Sequence, residues 1–228
     1  MRDSLLILAI SALNFLSFRE KVILEKKLDT IGDLAVLSIE DISSMVGRRI
    51  RSRWWRGEDC QAMAERSLKL MEVYGIGALV HHHLDYPAMV AEMFDPPYLL
   101  FYRGNVAAVH EPCISVVGTR KPSQEAAQAA FEFSQEAAGA GYTMVSGLAF
   151  GIDAAVHKGA LAGEGKTVAV LPCRADGAPV ISSLEEYERF FSAPPGGGNG
   201  EGVPISGTNG TSASVRHCRQ EKQLFFRG

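Results

Sequence analysis

Apolar positions recur at helical spacing through roughly the first third of the chain, then give way to short β-branched runs separated by glycine turns. From residue 3 to residue 72 there is no proline, and Leu5, Leu8, Ala9, Ala12, Leu13 and Leu16 mark one helical face. Asp29-Thr30-Ile31-Gly32-Asp33 and Ser38-Ile39-Glu40-Asp41 carry N-cap chemistry at successive breaks, and a longer helix is expected over 58–74, ended by Gly75-Ile76-Gly77. The apolar stretch from Leu5 to Leu16 has the length of a secretion-signal core. Asp3 precedes it, Ser11, Asn14 and Ser17 interrupt it, and Arg19, Glu20 and Lys21 continue the helical pattern, so a helix of a folded domain is the better reading.

Past residue 84 the period changes. Phe94-Asp95-Pro96-Pro97 followed by Tyr98-Leu99-Leu100-Phe101-Tyr102 reads as a turn entering a buried strand. A βαβαβ series follows: strands over 113–117, 142–145 and 167–171, with helices over 123–138 and 153–161. Right-handed crossovers place the three strands side by side and parallel. Both glycine turns then lie at the carboxyl ends of the strands, where such sheets bind phosphates. The predicted fold class is α/β: an incomplete Rossmann-like parallel sheet preceded by a small all-helical domain. The expected domains are 1–75 (helical), 76–176 (Rossmann-like) and 177–228, an irregular tail expected to be disordered. Seven glycines and three prolines among residues 193–214 leave that tail little to bury.

Charge and cysteine content narrow the picture only slightly. A formal net charge of −3 gives no global attraction to nucleic acid, so any such contact must be local. The four cysteines are widely separated without a Cys-x-x-Cys pair, which fits reduced thiols in a cytoplasmic protein rather than a zinc or disulfide framework.

The candidate chemistry sits in the two turns. In Val116-Val117-Gly118-Thr119-Arg120-Lys121-Pro122-Ser123, Gly118 admits close backbone approach, Ser123 can cap the next helix, and Arg120 can grip a phosphate with two parallel hydrogen bonds. In the second turn Ser146, Gly147 and Gly151 again precede a helix that Asp153 can cap, and His157 lies four residues on, on the same face. An Asp153–His157 contact locking the loop is expected; no nucleophile, base and orienter can be assembled. Phe150 could stack on a base or plug the core. The run 47–56 packs five arginines with Trp54 and Trp55, a composition suited to phosphate contact and stacking, although a helix with a solvated basic face and buried tryptophans explains it more simply. His81-His82-His83 is not expected to converge on a metal, and no cofactor is called for.

Taken together, five blocks resemble the DNA-processing protein A family, also known as Smf, over about residues 84–176. They are Tyr86-Pro87, Asp95-Pro96-Pro97, Leu99 to Gly104-Asn105, Val117-Gly118-x-Arg120, and Ser146-Gly147-Leu148-Ala149-x-Gly151-Ile152-Asp153 with His157, Gly159, Ala160 and Leu161. The resemblance implies a non-enzymatic cytoplasmic protein that binds single-stranded DNA without sequence preference, dimerises, and hands the strand to the RecA recombinase in natural transformation or related recombination. It places Arg120 and the backbone around Gly118, Ser146 and Gly147 at the DNA phosphates; the reading of the two turns adds Thr119, Ser123 and Gly151 to that phosphate site, with Asp153 and His157 as structural loop residues. It also implies that the helical domain is of the SAM or helix-hairpin-helix kind, but Phe15-Leu16-Ser17-Phe18-Arg19 stands where a Gly-x-Gly hairpin would be sought.

From Gly177 onward the resemblance stops, with neither the family's Tyr-Pro pair nor its Arg-Asn-Arg block present. A shift of reading frame near residue 177 would account for this and would leave the parallel sheet with an open edge. Two other readings stand beside DNA binding. One is a Rossmann protein for a nucleotide or phosphorylated small molecule, disfavoured because Val145-Ser146-Gly147 offers no acidic residue for a ribose; the other is an inactive truncated relic.

Overall fold

The computed structural model describes residues 3–52, 55–171 and the backbone of 223–227. The chain divides into two compact units within strand β2, between Leu100 and Phe101, later than the change of sequence pattern near residue 75.

The first unit is built from five helices, α1 (Ser4–Ser11), α2 (Phe18–Lys27), α3 (Ile31–Ala35), α4 (Ile39–Val46) and α5 (Gly57–Tyr74), followed by β1 (Gly77–Val80), the single turn α6 (Ala88–Ala91) and the start of β2 (Leu99–Gly104). Reciprocal caps set the starts of three helices: Ser17 with Glu20, Thr30 with Asp33, and Ser38 with Asp41. Asp3 caps two at once. Its Oδ1 accepts the Leu5 amide at 2.9 Å and its Oδ2 the Ile31 amide at 2.8 Å, fixing α1 against α3. Gly75, with φ +61°, ends α5 at the expected place.

The buried face of α1 differs from the expected one. Leu6, Leu8, Ala9 and Ile10 are buried, Leu5 is half-buried and Ala12 is exposed. The physical reason is that α1 ends at Ser11 and packs against α2, α3 and α5 together, so it is covered nearly all round and has no single stripe. Two of the sequence blocks prove to be architectural here. The Tyr86 hydroxyl donates to the Pro97 carbonyl at 2.6 Å, and burial pushes this phenol up to about 12.

In the second unit the remainder of β2 leads through a 3-10 turn (Val106–His110) to β3 (Cys113–Ser115), α7 (Gln124–Gly139), β4 (Thr143–Ser146), α8 (Ile152–Ala162), β5 (Thr167–Val170) and β6 (Gln223–Arg227). The expected βαβαβ order is present, with β3, β4 and β5 parallel and adjacent. Met144 pairs with Thr167 and Ser146 with Ala169, which brings the ends of β4 and β5 level. Met144, Val156, Ala160 and Ala138 form the core between the sheet and the two helices, backed by Ile114, Val116 and Ile152. Gly159 lets α8 approach α7 closely, because a Cβ there would run into the Phe131 carbonyl.

Two expectations are corrected at the far side of β5. Residues 223–227, placed within an irregular tail by composition, form β6, and β6 pairs in parallel with β5 and antiparallel with β2. The strand order of this unit is therefore β2-β6-β5-β4-β3, and the edge of β5 is covered. Pattern reading missed β6 because a short Gln-Leu-Phe-Phe-Arg run beyond a glycine-rich stretch carries too little period to announce a strand. The glycine-rich part of the tail, 193–214, where disorder was expected, lies outside the described residues.

Candidate nucleic-acid interface

The two glycine turns leave β3 and β4 on the same side and are bonded to each other. The Val116 amide donates to the Val145 carbonyl at 3.0 Å, continuing the ladder past the end of β3, and the Ser146 hydroxyl donates to the Val116 carbonyl at 2.7 Å. One turn further out, the Ile152 amide donates to the Thr119 carbonyl at 3.2 Å. Gly151, at φ +83°, makes this possible: a Cβ there would enter the Thr119 carbonyl and lie 2.8 Å from both the Arg120 carbonyl carbon and Pro122 Cδ.

The sequence-predicted residues divide into two groups on this frame. Gly118, Thr119, Arg120 and Ser123 are exposed on the first turn, as a phosphate contact requires. Thr119 Oγ1 accepts the Lys121 amide at 3.2 Å, tightening the bend that presents Arg120 and the likewise exposed Lys121. The side-chain position of Gly118 is filled by Ile152, whose Cγ1 would lie 2.5 Å from an added Cβ. By contrast Ser146 is buried and its hydroxyl is committed to Val116, so it fastens the turns together and does not face a ligand. Gly147 is half-buried beside Asp153, and Gly151 is the seat between the turns.

Both helix N-termini already carry a carboxylate. Ser123 caps α7, its hydroxyl accepting the Ala126 amide at 3.3 Å, and the Glu125 carboxyl is held low by its own backbone N–H and by the Ser123 hydroxyl. At α8 the N-cap is Gly151 without a side-chain cap; Asp153 instead accepts the Ala149 amide at 3.2 Å. A phosphate placed at this face would meet Arg120, Lys121 and the exposed backbone of the first turn rather than an unoccupied helix dipole. Phe150 stands 62% exposed at the tip of the second turn, which settles the choice the sequence left open: it does not plug the core. Lys121 was the residue sequence reasoning passed over, and its signal was adjacency to Arg120 in the same bend.

The expected Asp153–His157 lock is replaced by a different bond. His157 is buried, and its Nδ1 lies 2.7 Å from Thr167 Oγ1. The Thr167 hydroxyl donates to the Met144 carbonyl at 3.0 Å, so the imidazole donates from Nδ1 and ties α8 to β5. Sequence spacing could place His157 near Asp153 on one helix, but not show that a threonine of the next strand lay closer.

Burial pushes His157 down to about 4, against an upward pull from Asp153. An unfolded histidine titrates near 6.5. Between those values the unfolded chain binds more protons, so stability is complete above pH 6.5 and falls as pH is lowered toward 4. Urea unfolding should give about 2–3 kcal/mol less stability at pH 4.5 than at pH 7 from this group, and His157→Gln should flatten that part of the profile. A wild-type and a variant profile of equal slope would contradict it.

The arginine and tryptophan cluster is not the expected helix: its described residues form the connection between α4 and α5, and Trp55 is half-buried where a buried ring was expected. Arg48 pairs with Glu20 through two nitrogens, holding that carboxyl down to about 2, and donates to the Phe15 carbonyl at 2.9 Å. The Trp55 indole donates to the Leu37 carbonyl at 2.8 Å with its ring edge-on to Phe15. Arg49, Arg51 and Arg56 are exposed, and Arg53 and Trp54 lie outside the described residues.

Residues 77–185 match the family described as DNA recombination-mediator protein A. Over that segment the chain is similar to this family. The match starts at β1 and runs past residue 176, so the resemblance extends further than the blocks in the sequence suggested. The DNA processing protein DprA of Streptococcus pneumoniae is 42% identical over 86 residues, covering 38% of this chain and 30% of that protein. Protein Smf of Borreliella burgdorferi is 29% identical over 170 residues, covering 75% of this chain and 53% of that one. The matched stretches thus span about a third to a half of these relatives. The X-ray structure of DNA processing protein A from Streptococcus pneumoniae superposes with a TM-score of 0.58 at 20% identity, over all of this chain and 68% of that chain, which establishes the shared fold. Among the described residues no helix is long and apolar enough to cross a membrane.

Proposed function

We propose that this chain binds single-stranded DNA without sequence preference at the paired turns and acts in DNA recombination, passing the strand to a RecA-type recombinase. The observation that supports it most is the first turn itself: Arg120 and Lys121 exposed side by side on a bend braced by the second turn, with exposed Phe150 next along that brace. A basic pair tracks the backbone and an aromatic ring accepts any base, which is the combination that tolerates all sequences. Binding alone is the activity; cytoplasmic location and a homodimer, each subunit supplying one such face, complete the proposal.

The competing reading, a small phosphorylated ligand in the same place, is separated by competition. Labelled oligo-dT bound to the chain should be displaced by unlabelled single strands of any composition, far less by duplex of equal length, and not by mononucleotides at equal phosphate concentration. Affinity should fall steeply from 50 to 200 mM salt as phosphate contacts release counterions. Displacement by a mononucleotide at low concentration would favour the small-ligand site instead.

A further inference from the structure

Two of the three adjacent histidines converge after all, on a carboxylate from 56 residues earlier in the chain. Glu25, on the last turn of α2, is buried to within 2% of full burial. His81 and His82 follow directly after β1 in a turn, where the strict alternation of a strand is lost and neighbouring side chains can face one way. His81 Nδ1 lies 3.9 Å from Glu25 Oε2 and His82 Nδ1 lies 3.7 Å from Glu25 Oε1. One ligand atom from each of the three residues falls within 4.8 Å of the other two.

These spacings are too long for direct hydrogen bonds. They are close to what a shared ion requires, since two donors each about 2.1 Å from a tetrahedral zinc stand roughly 3.4 Å apart. We propose that Glu25, His81 and His82 bind one zinc ion, with the fourth position open to water. Two imidazole nitrogens and one carboxylate oxygen are a donor set suited to zinc. The buried carboxylate would supply the site's negatively charged ligand.

The rest of the shell is preorganised. The His81 amide donates to the Tyr98 carbonyl at 3.1 Å, and the His81 ring is edge-on to Phe18 at 5.1 Å and tilted against Tyr98 at 5.5 Å. His82, with its side chain 55% exposed, is the member able to rotate and close the widest gap. His83 takes no part: its Nδ1 accepts the Asp85 amide at 3.1 Å. Bound zinc would clamp α2 to the end of β1 inside the first unit.

The test is a zinc titration of the full chain, stripped with a chelator, against a chromophoric competitor, with thermal unfolding measured in parallel. One zinc per chain should be taken up, with a rise in melting temperature. His82→Ala, an exposed change that leaves the core intact, should weaken zinc roughly tenfold or more and remove the thermal rise, as should Glu25→Gln; His83→Ala should do neither. No saturable uptake at micromolar zinc overturns the proposal. So does equal uptake by wild type and His82→Ala, which would place the metal on the cysteine thiols.

Discussion

Gly151→Val is expected to lower the melting temperature by about 10 °C and to abolish single-strand binding together with it. The residue sits at φ +83°, ψ −124°, a backbone conformation that costs a β-branched residue about 1–3 kcal/mol. Its added side chain would also drive into the Thr119 carbonyl, the Arg120 carbonyl carbon and Pro122. Backbone cannot swing aside as a side chain can, so overpacking adds about 1–3 kcal/mol more. At roughly 2–4 °C per kcal/mol for a chain of this size, the sum of about 2–6 kcal/mol gives a shift of about 4–24 °C, with about 10 °C near its middle. Differential scanning calorimetry checks it, and an unchanged midpoint would show that the turns are not packed as described.

Arg120→Ala carries the second large effect, on binding with stability unchanged. Arg120 is exposed, and among the described residues its side chain has no hydrogen-bond or ion-pair partner that would be lost with it. Removing one guanidinium from a phosphate should weaken oligo-dT binding by about tenfold at low salt and reduce the slope of log affinity against log salt by roughly one counterion. Fluorescence anisotropy across a salt series measures both. A variant with wild-type affinity and slope would move the contact elsewhere, to the exposed Arg49, Arg51 and Arg56 of the first unit in particular.

Much of this architecture was legible because local signals and tertiary packing agree. The capping boxes at Thr30 and Ser38, the glycine stop at Gly75, and the β-branched runs between glycine turns each name their element without help from elsewhere. Where the outcome hinged on a partner distant in sequence, residues alone fell short. Ser146 looked like a ligand group until Val116 claimed its hydroxyl, His157 looked tied to Asp153 until Thr167 lay nearer, and β6 had no period of its own. The convergence of His81 and His82 on Glu25 belongs to the same class, since nothing in a histidine run announces a carboxylate on another helix.

The claim that both turns form one strand-binding surface is tested most directly by following backbone amides in a 15N-labelled chain as oligo-dT is added. The amides of Gly118, Thr119, Arg120 and Lys121 are expected to shift together with those of Gly147 and Phe150, saturating at a single stoichiometry. Shifts confined to residues 47–56, or absent from both turns while binding saturates, would contradict it.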